Sequence, residues 1–481
     1  MTISTFNGLN IALRGLIAQQ SALDVTTHNI ANTNTEGYSR QEAVLGAADP
    51  VANVSVWGMM FPGQLGQGVT VEAYRRIRDV FNDTQLRQAS GTQAAEQVRY
   101  RELSGVELAL PEPSATGLGQ LTQDFFSAWQ AVANSPESLA ARQALAQKGA
   151  SLTTAFNNAA GALSNMRAND DAEINANIGD INAIVGQVDK LNQQIGDTVL
   201  AGAQIDPVTN LVVKPGQAPN DLLDRRDQLL DQLAKLGDIT SVSYDDRSRA
   251  TVVIAGQTLV TSTPGTTALT RAQVDAAFSG GQLTRGKLFG LEDAWKNMLD
   301  ESTPTSYAAQ LNVLAQSLHD AVNTQHALGV DLGGTAGAQF FDFTAPTGPP
   351  GAAARLQMSA AVLADPTKIA AGTTGQGPGS AGNAQAIIAL QQAVTTAGAT
   401  FQDYYNGLQS GLGTQAQDSK RSSDANDIVV NGLNDRRQQS SGVSLDEEMS
   451  KMVQYQHAYS AAARVMSTMQ TNLDTLIAMV H

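Results

Sequence analysis

The sequence predicts a mainly helical protein with a smaller β part. Apolar residues recur at seven-residue spacing near both ends of the chain and in its middle, which is the pattern of helices that pair through a narrow seam. Aromatic residues make up only 5% of the chain, whereas β-branched residues concentrate in one stretch, 239–262. With 481 residues the chain is too long for one ordinary core, so several domains are expected.

The first helix is predicted from Phe6 onwards. Its apolar row ends where Asn and Thr become frequent, between Asn29 and Asn34, because these side chains compete for backbone hydrogen bonds. Gly37 follows, and we expect it to adopt a positive φ. Residues 69–74 then read as a strand. The seam of this helix is predicted to be Leu9, Leu16, Leu23 and Ile30.

A long helical region is predicted from Asp79 to Leu236. Two breaks interrupt it, one at Pro111 and Pro113 and one at 134–136, where Ser135 can cap a helix that starts at Pro136. Gly237 ends the region. Its middle contains a second seam, formed by Ile174, Ile178, Ile181, Val185, Val188, Asn192 and Ile195.

The remaining chain alternates between β and helical patterns. Residues 239–262 predict a hairpin or small sheet, residues 288–328 a helix, and residues 329–380 a small irregular or β element. In the final segment, Ser444 and Glu447 match a capping box that opens the last helix. The apolar row of that helix contains Leu445, Met452, Tyr459, Met466 and Leu473.

Both terminal helices have polar residues in their seams, which weakens an isolated pair. We therefore infer that the two ends become fully ordered only within a larger assembly. In the free monomer, residues 1–40 and 445–481 are expected to be largely unprotected from proteolysis and hydrogen exchange.

Composition excludes several functions. The net charge is −15, and the short basic island at 75–78 is too small to support binding of nucleic acid or an anionic membrane surface. The absence of cysteine excludes disulfides, thiol catalysis and Cys-ligated metals. No run of 18 apolar residues and no cleaved secretory signal is evident, which predicts a cytoplasmic protein or one exported without such a signal.

No motif predicts catalysis, a cofactor or a metal. Residues 281–287 match G-x-x-x-x-G-K, but Leu288 stands where Ser or Thr should hold magnesium, so a turn that opens a helix is favoured. His319 and His326 are two helical turns apart, about 10.5 Å, which is too far for one zinc ion. His28 has no catalytic partner nearby in sequence. For residues 74–79, a partner-binding edge and a solvated face both remain open.

Both ends resemble a known family. The stretch LNIALRGLIAQQSALDVTTHNIANTNTEGYSRQ looks like the N-terminal signature of bacterial flagellar axial proteins, which are the rod, hook and hook-associated proteins. The stretch SLDEEMSKMVQYQHAYSAAARVMSTMQTNLDTLIAMV is similar to their C-terminal signature. NSPESLAARQAL and DLLDRRDQLLDQLAKLGDI resemble hook-associated members in particular, and the resemblance weakens across about 344–380.

The resemblance implies a non-enzymatic structural subunit of the bacterial flagellum that serves as a hook–filament junction adaptor. It implies no cofactor, no metal, and secretion by type III export to an extracellular position without a cleaved signal peptide. Implied partners are further copies of the chain in a ring or helical zone, the hook protein, hook-associated protein 3 and a cytoplasmic export chaperone at the C-terminal helix. Nucleic acid and membrane are not expected partners.

The resemblance and the seam rows together predict the residues of the subunit interface. They are Leu9, Leu16, Leu23, Asn29, Ile30, Asn32, Gly37, Tyr38, Leu445, Met452, Tyr455, Tyr459, Met466 and Leu473.

Three domains are predicted. Residues 1–40 and 441–481 would form a coiled-coil-like inner domain of paired terminal helices. Residues 41–237, 285–330 and 381–440 would form a helical bundle with a short β segment at 41–75, and residues 238–284 and 331–380 a small β-rich outer domain.

Two other functions remain open: a rod or hook subunit, in which β-rich domains would soon follow the N-terminal motif, and a wall hydrolase fused to axial ends.

Overall fold

A computed structural model describes residues 7–50, 66–205, 212–214, 218–344, 351–377 and 379–480. Residues 1–6 of the predicted inner domain and 51–65 of the predicted β segment lie outside this part of the chain. The fold is mainly helical with small sheets, which confirms the predicted fold class. In chain order, the helices are α1 (Asn7–Ala31), α2 (Val80–Ala109), α3 (Leu118–Asn134), α4 (Leu139–Leu200), α5 (Asn220–Leu236), α6 (Arg271–Ser279), α7 (Gly286–Asp293), α8 (Tyr307–Ala327), α9 (Ala352–Arg355), α10 (Ala360–Ala364), α11 (Gly382–Ala389), α12 (Phe401–Ser441) and α13 (Leu445–Val480).

The strands are short and form small antiparallel sheets. Among them, the sheet β5-β6-β7 confirms the hairpin predicted for 239–262, and its second turn lies at Ala255 and Gly256, both with positive φ. The strands are β1 (Gln41–Ala47), β2 (Val69–Arg76), β3 (Gln204–Ile205), β4 (Val212–Lys214), β5 (Ile239–Tyr244), β6 (Ala250–Ile254), β7 (Gln257–Val260), β8 (Gly329–Val330), β9 (Phe341–Phe343), β10 (Leu356–Met358) and β11 (Gly372–Thr373). The other pairs are β1-β2, β3-β4, β8-β11 and β9-β10.

The helix that follows the second predicted break starts later than expected. Ser135 ends α3, and α4 begins at Leu139 rather than at Pro136. The Ser138 hydroxyl caps α4 by accepting from the Ala141 N–H at 3.3 Å. Pro136 lies in the loop before α4, and its carbonyl accepts from Arg142 Nε at 2.7 Å.

The chain divides into two compact units, and this division differs from the three predicted domains. Unit 1 contains Met1–Ser90, Ile181–Leu269 and Ile428–His481, and unit 2 contains Gly91–Asp180 and Thr270–Asp427. The two segments of the predicted outer domain are therefore not grouped together: 238–269 belongs to unit 1, and 331–380 to unit 2. The reason is that sheet β5-β6-β7 is bonded to the C-terminal half of α4, which sequence composition does not reveal.

The seam predicted in α4 is confirmed, since all seven of its residues are buried. Asn192, the polar member, donates from Nδ2 to the Ala250 carbonyl at 2.8 Å and accepts at Oδ1 from the Ala250 N–H at 2.9 Å. One amide side chain thus satisfies both backbone groups at the start of β6. This contact joins α4 to the sheet within unit 1.

Unit 2 has an aromatic core. Trp129, Phe125, Phe340 and Phe341 are buried and meet in edge-on or tilted ring contacts. His326 packs among them, donating from Nδ1 to the Ala338 carbonyl at 2.6 Å and accepting at Nε2 from the Ala370 N–H at 2.8 Å. Burial lowers the pKa of His326 to about 4, so the imidazole is neutral.

One buried carboxyl group of unit 2, that of Asp170, makes the stability of the unit depend on pH. Burial, the carboxylate of Glu102 and a hydrogen bond with Glu102 raise the pKa of Asp170 from 3.8 to about 8, against the opposing charge of Arg101. The folded chain therefore holds a proton that the unfolded chain releases, and stability falls as pH rises from about 4 to about 8.

Asp170→Asn is expected to remove this dependence, because an amide can donate to Glu102 without titrating. The variant should exceed the native chain in stability at pH 8 by at least about 1 kcal/mol, since each pKa unit corresponds to about 1.4 kcal/mol. Urea unfolding between pH 5 and 9 measures this, with Asp171→Asn, at a neighbour whose side chain is 50% exposed, as the control. Parallel pH profiles for native and Asp170→Asn chains would contradict the prediction.

Candidate functional site: the joint of the terminal helices

The chain turns sharply after α1 because its side chains satisfy the helix end. The Asn32 N–H bonds the His28 carbonyl at 3.1 Å, and Thr33 Oγ1 donates to the Ile30 carbonyl at 2.9 Å. Thr35 Oγ1 donates to Asn32 Oδ1 at 3.0 Å. The end of α1 at Ala31 and the positive φ of Gly37, +79°, are both as predicted. We call residues 32–40 the connector.

Gly37→Val is expected to impair assembly more than folding of unit 2. A non-glycine residue at this φ costs about 1–2 kcal/mol, and an added Cβ would lie 3.4 Å from Gln228 Cβ. Motility and thermal unfolding of the purified chain separate the two effects. Gly161→Ala, in α4 with open space around its Cα, is the control. Unchanged motility of Gly37→Val would count against a special role for this turn.

Asn29 is the centre of the joint. It is buried, and its Oδ1 accepts from the Gln41 N–H at 3.0 Å and from Tyr38 Oη at 2.8 Å. Its Nδ2 donates to the Gln41 carbonyl at 2.9 Å and to Glu448 Oε2 at 2.9 Å. These bonds use the full capacity of an amide side chain. A single residue thus connects α1, the connector, β1 and α13.

The carboxylate of Glu448 binds the start of α13 to the connector. Its side chain is 1% exposed, and Oε1 accepts from Arg40 Nε at 2.8 Å. Arg40 also pairs with Glu447 at 2.8 Å, and its backbone N–H donates to the Ser441 carbonyl at 2.9 Å. The end of α12, the connector and the first turn of α13 are therefore fixed together. We define Asn29, Tyr38, Arg40 and Glu448 as the joint.

Tyr38 completes the joint and gives His28 a partner that sequence spacing did not reveal. Since Asn29 Oδ1 can only accept, Tyr38 Oη donates to it and accepts from His28 Nδ1 at 3.1 Å. The other nitrogen of His28 lies 3.9 Å from Asp221 Oδ2. Burial, followed by the nearby carboxylates of Asp221 and Asp224, raises the pKa of Tyr38, so the phenol remains a donor.

A buried network of Arg and Asp side chains supports the joint. Asp224, Asp227 and Asp231 share one face of α5 because they are three, four and seven residues apart. Asp224 Oδ2 accepts from the Ser39 N–H at 3.0 Å, which ties the connector to α5. The ion pairs of the network include Arg76–Asp224 (2.7 Å), Arg76–Asp227 (2.9 Å), Arg78–Asp227 (3.1 Å), Arg87–Asp231 (2.7 Å), Arg437–Asp231 (2.7 Å) and Arg437–Asp83 (3.3 Å).

The network accounts for two of the residues 74–79, because the side chains of Arg76 and Arg78 are 15% and 8% exposed and pair with the acids of α5. Tyr74 and Arg75 are exposed, and Arg75 pairs with Glu42 at 3.4 Å, so a partner-binding edge and a solvated face both stay open for them. Burial tends to lower the pKa of Arg78, but the carboxylates of Asp227 and Asp83 outweigh it and raise that pKa. In return, Arg78 and Arg76 lower the pKa of Asp227 against its burial. The groups are therefore charged.

The seam predicted in α1 is not the face that is buried. Leu9, Leu16, Leu23 and Ile30 are half-buried, whereas the buried residues are Ala12, Ala18, Ala22, Thr26 and Asn29. Small residues let α13 approach closely, as at Gly15, where an added Cβ would lie 3.9 Å from Ala462 Cβ. The closest helix contact therefore follows the small residues rather than the leucines.

The predicted interface residues of α13 remain partly uncovered. Met452, Tyr455, Met466 and Leu473 are half-buried, and Leu445 and Tyr459 are exposed. Asn32, in the connector, is half-buried. We call α1 and α13 the terminal pair. This pair also exposes the apolar side chains of Leu13, Ile17, Met449, Val453, Val465 and Ile477.

The joint limits which parts of the terminal pair we expect to be unprotected from hydrogen exchange in the free monomer. Its bonds form within one chain, so we expect exchange protection at 29–41 and 441–448, and decreasing protection towards the tips of the terminal pair. Hydrogen exchange on dilute full-length chain measures this gradient, with the aromatic core of unit 2 as an internal reference. Equal protection along the whole of α13 would contradict it.

The motifs considered for chemistry have structural roles. Lys287, in the G-x-x-x-x-G-K match, pairs with Glu173 at 2.8 Å, and Leu288 is buried. His319 stacks on Phe343. Over the residues that the structure describes, no group of three or more His, Asp or Glu could hold a metal ion. No described helix is long and apolar enough to cross a membrane.

Three family models match three separate parts of the chain. Residues 9–38 match the flagella basal body rod protein family, and residues 437–479 match the flagellar basal body rod FlgEFG protein C-terminal family. Residues 103–341 match the flagellar hook-associated protein FlgK helical domain. The two terminal matches contain three of the four joint residues, namely Asn29, Tyr38 and Glu448. A fold of paired terminal helices with such a joint therefore defines a structural protein of the flagellar axial class.

Individual relatives identify the family within that class. The flagellar hook-associated protein 1 of Bacillus subtilis is 31% identical over 98% of both chains. That of Salmonella typhimurium is 28% identical over 98% of this chain and 99% of its own. The chain belongs to the flagellar hook-associated protein 1 family and is a structural component of the bacterial flagellum.

A solved structure has a similar fold. The flagellar hook junction protein FlgK of Burkholderia pseudomallei superposes with a TM-score of 0.56 and 17% identity, over 75% of this chain and all of that chain.

Proposed function

We propose that this chain is a non-enzymatic adaptor at the junction between the flagellar hook and filament. The observation that carries the proposal is the joint, which fixes a terminal pair with uncovered apolar side chains to the rest of unit 1. An adaptor needs both parts: a rigid attachment that sets the direction of the helices, and a surface that other subunits cover.

The partners follow from that surface and from the family. Copies of the chain would surround the flagellar axis as a ring or helical zone, with the terminal pair forming the inner tube. The hook protein would bind on one side and hook-associated protein 3 on the other. A cytoplasmic export chaperone would cover the apolar face of α13 before the chain is exported, without a cleaved signal peptide, to its extracellular position.

The test is electron microscopy of isolated flagella with the chain labelled at an exposed position of unit 2. Label confined to the hook–filament boundary is expected, together with filament loss when the gene is deleted. Label along the hook or in the rod would overturn the proposal in favour of the alternative rod or hook subunit. Turnover of peptidoglycan by the purified chain would overturn the non-enzymatic role.

A further inference from the structure

Arg271, the first residue of α6, lies among carboxylates from three helices of unit 2. Its Nε is 3.0 Å from Asp275 Oδ1 on α6 itself, and its Nη1 is 3.0 Å from Glu292 Oε1 on α7. Asp171 Oδ1, on α4, lies 3.8 Å from the same Nη1. If all three acids were ionised, one positive charge would face three negative charges.

Glu292 differs from the other two acids in its burial. Its side chain is 1% exposed, whereas the side chains of Asp275 and Asp171 are about half exposed. Arg271 Nη2 donates to Glu292 Oε2 at 3.4 Å, which is long, and the closer atoms Nη1 and Oε1 are not aligned for a hydrogen bond. An ionised Glu292 would therefore be a buried charge with weak compensation.

The charges around Glu292 favour its neutral form. Burial raises the pKa of Glu292 from 4.5 to about 7, against the positive charge of Arg271. The carboxylates of Asp275 and Asp171 add to the rise, and the ammonium group of Lys296 opposes it. The folded chain therefore holds a proton here at pH values where a solvated glutamate is ionised.

Arg271 also attaches the start of α6 to the residues that follow α7. Its guanidinium carbon lies 5.1 Å from the centre of the Trp295 ring, in a cation–π contact. The far end of α6 is attached by aromatic packing, since the rings of Phe278 and Phe289 are 5.7 Å apart. Opening the first turn of α6 would withdraw Arg271 from Glu292 and admit water to the carboxyl group.

We propose that Glu292 is a proton-dependent latch for the first turn of α6. With the proton bound, the buried carboxyl group is neutral, and the turn stays closed over it. Opening solvates the carboxyl group, which then ionises, so opening becomes easier as the pH rises. The inference is independent of the proposed function, because it concerns unit 2 of a single chain.

The two states of Glu292 define the pH window of the latch. Below about pH 4.5 both the closed and the open forms hold the proton, and above about pH 7 neither form holds it. Between these values opening releases one proton, so the equilibrium constant for opening should rise up to about ten-fold per pH unit. Above about pH 7 this group should have no further effect.

Hydrogen exchange of residues 271–279 in the full chain tests the latch. Rates are measured from pH 5 to pH 8.5 and corrected for the intrinsic pH dependence of amide exchange. Every chain carries Asp170→Asn, so that the buried carboxyl group on α4 does not contribute. Protection of α6 in this parent chain should fall at least ten-fold between pH 5 and pH 7 and then level off. Glu292→Gln, which keeps the shape of the side chain without titrating, should remove the fall.

Asp275→Asn is the matched control, because it removes a carboxylate that contacts the same arginine from an exposed position. It should keep the fall in protection and move its upper end to lower pH, since one negative charge beside Glu292 is lost. This shift tests the latch even if Glu292→Gln does not fold. Protection of α6 that is independent of pH in the parent chain, or the same fall in Glu292→Gln, would overturn the proposal.

Discussion

Glu448→Ala should release the start of α13 from the joint. The substitution leaves the Asn29 amide and the Arg40 guanidinium without the carboxylate that both contact at 2.8–2.9 Å. Removing one partner of a buried pair typically costs about 3–5 kcal/mol, because the other polar groups stay buried and unpaired. Hydrogen exchange across residues 445–452 should accelerate accordingly, and filament attachment should be lost.

Glu447→Ala is the matched control for that prediction. Glu447 contacts the same arginine at 2.8 Å, but its side chain is 61% exposed, so the loss should remain below about 1 kcal/mol. The two variants remove the same chemical group one residue apart and differ mainly in burial. Equal exchange rates in the two variants would show that the joint does not hold α13.

Asp227→Ala should produce the largest loss of stability in unit 1. Its carboxylate lies 2.9 Å from Arg76 and 3.1 Å from Arg78, and its side chain is 6% exposed. The substitution would leave Asp224, at 2.7 Å from Arg76 and 3.7 Å from Arg78, as the carboxylate that these two guanidinium groups share, at a cost of about 3–5 kcal/mol. Urea unfolding measures the loss. Asp221→Ala, at a position whose side chain is 70% exposed, should change stability by less than about 1 kcal/mol.

Asp227 also predicts that the stability of the chain is sensitive to acid. Because the arginines lower the pKa of Asp227 below its unfolded value of 3.8, this carboxylate contributes stability that is fully present above that value. The contribution is lost as pH falls through the lower, folded pKa. Native chain should therefore lose stability below about pH 4 more steeply than Asp227→Ala. Parallel acid profiles would contradict a charged Asp227 in the folded state.

The sequence predicted those features that depend on local pattern. The seven buried residues of the α4 seam, the turn at Gly37, the sheet at 239–262 and the end of α5 at Leu236 follow from periodicity, turn chemistry and β propensity. The family was also evident, because its signatures are long and lie at the two ends. Each of these signals is contained within one stretch of chain.

Tertiary structure decided what depends on distant residues. Arg76 and Asp224 are 148 positions apart, and Asn29 and Glu448 are 419 apart, so their hydrogen bonds leave no local pattern. The sequence also favoured leucines over alanines for the face of α1 that lies close to α13, because leucine is the more hydrophobic residue. In the structure the small residues lie on that face instead, since only small side chains let the backbones of the two helices approach. The joint could therefore be located from sequence, but the buried charges that make it rigid could be identified only in the folded chain.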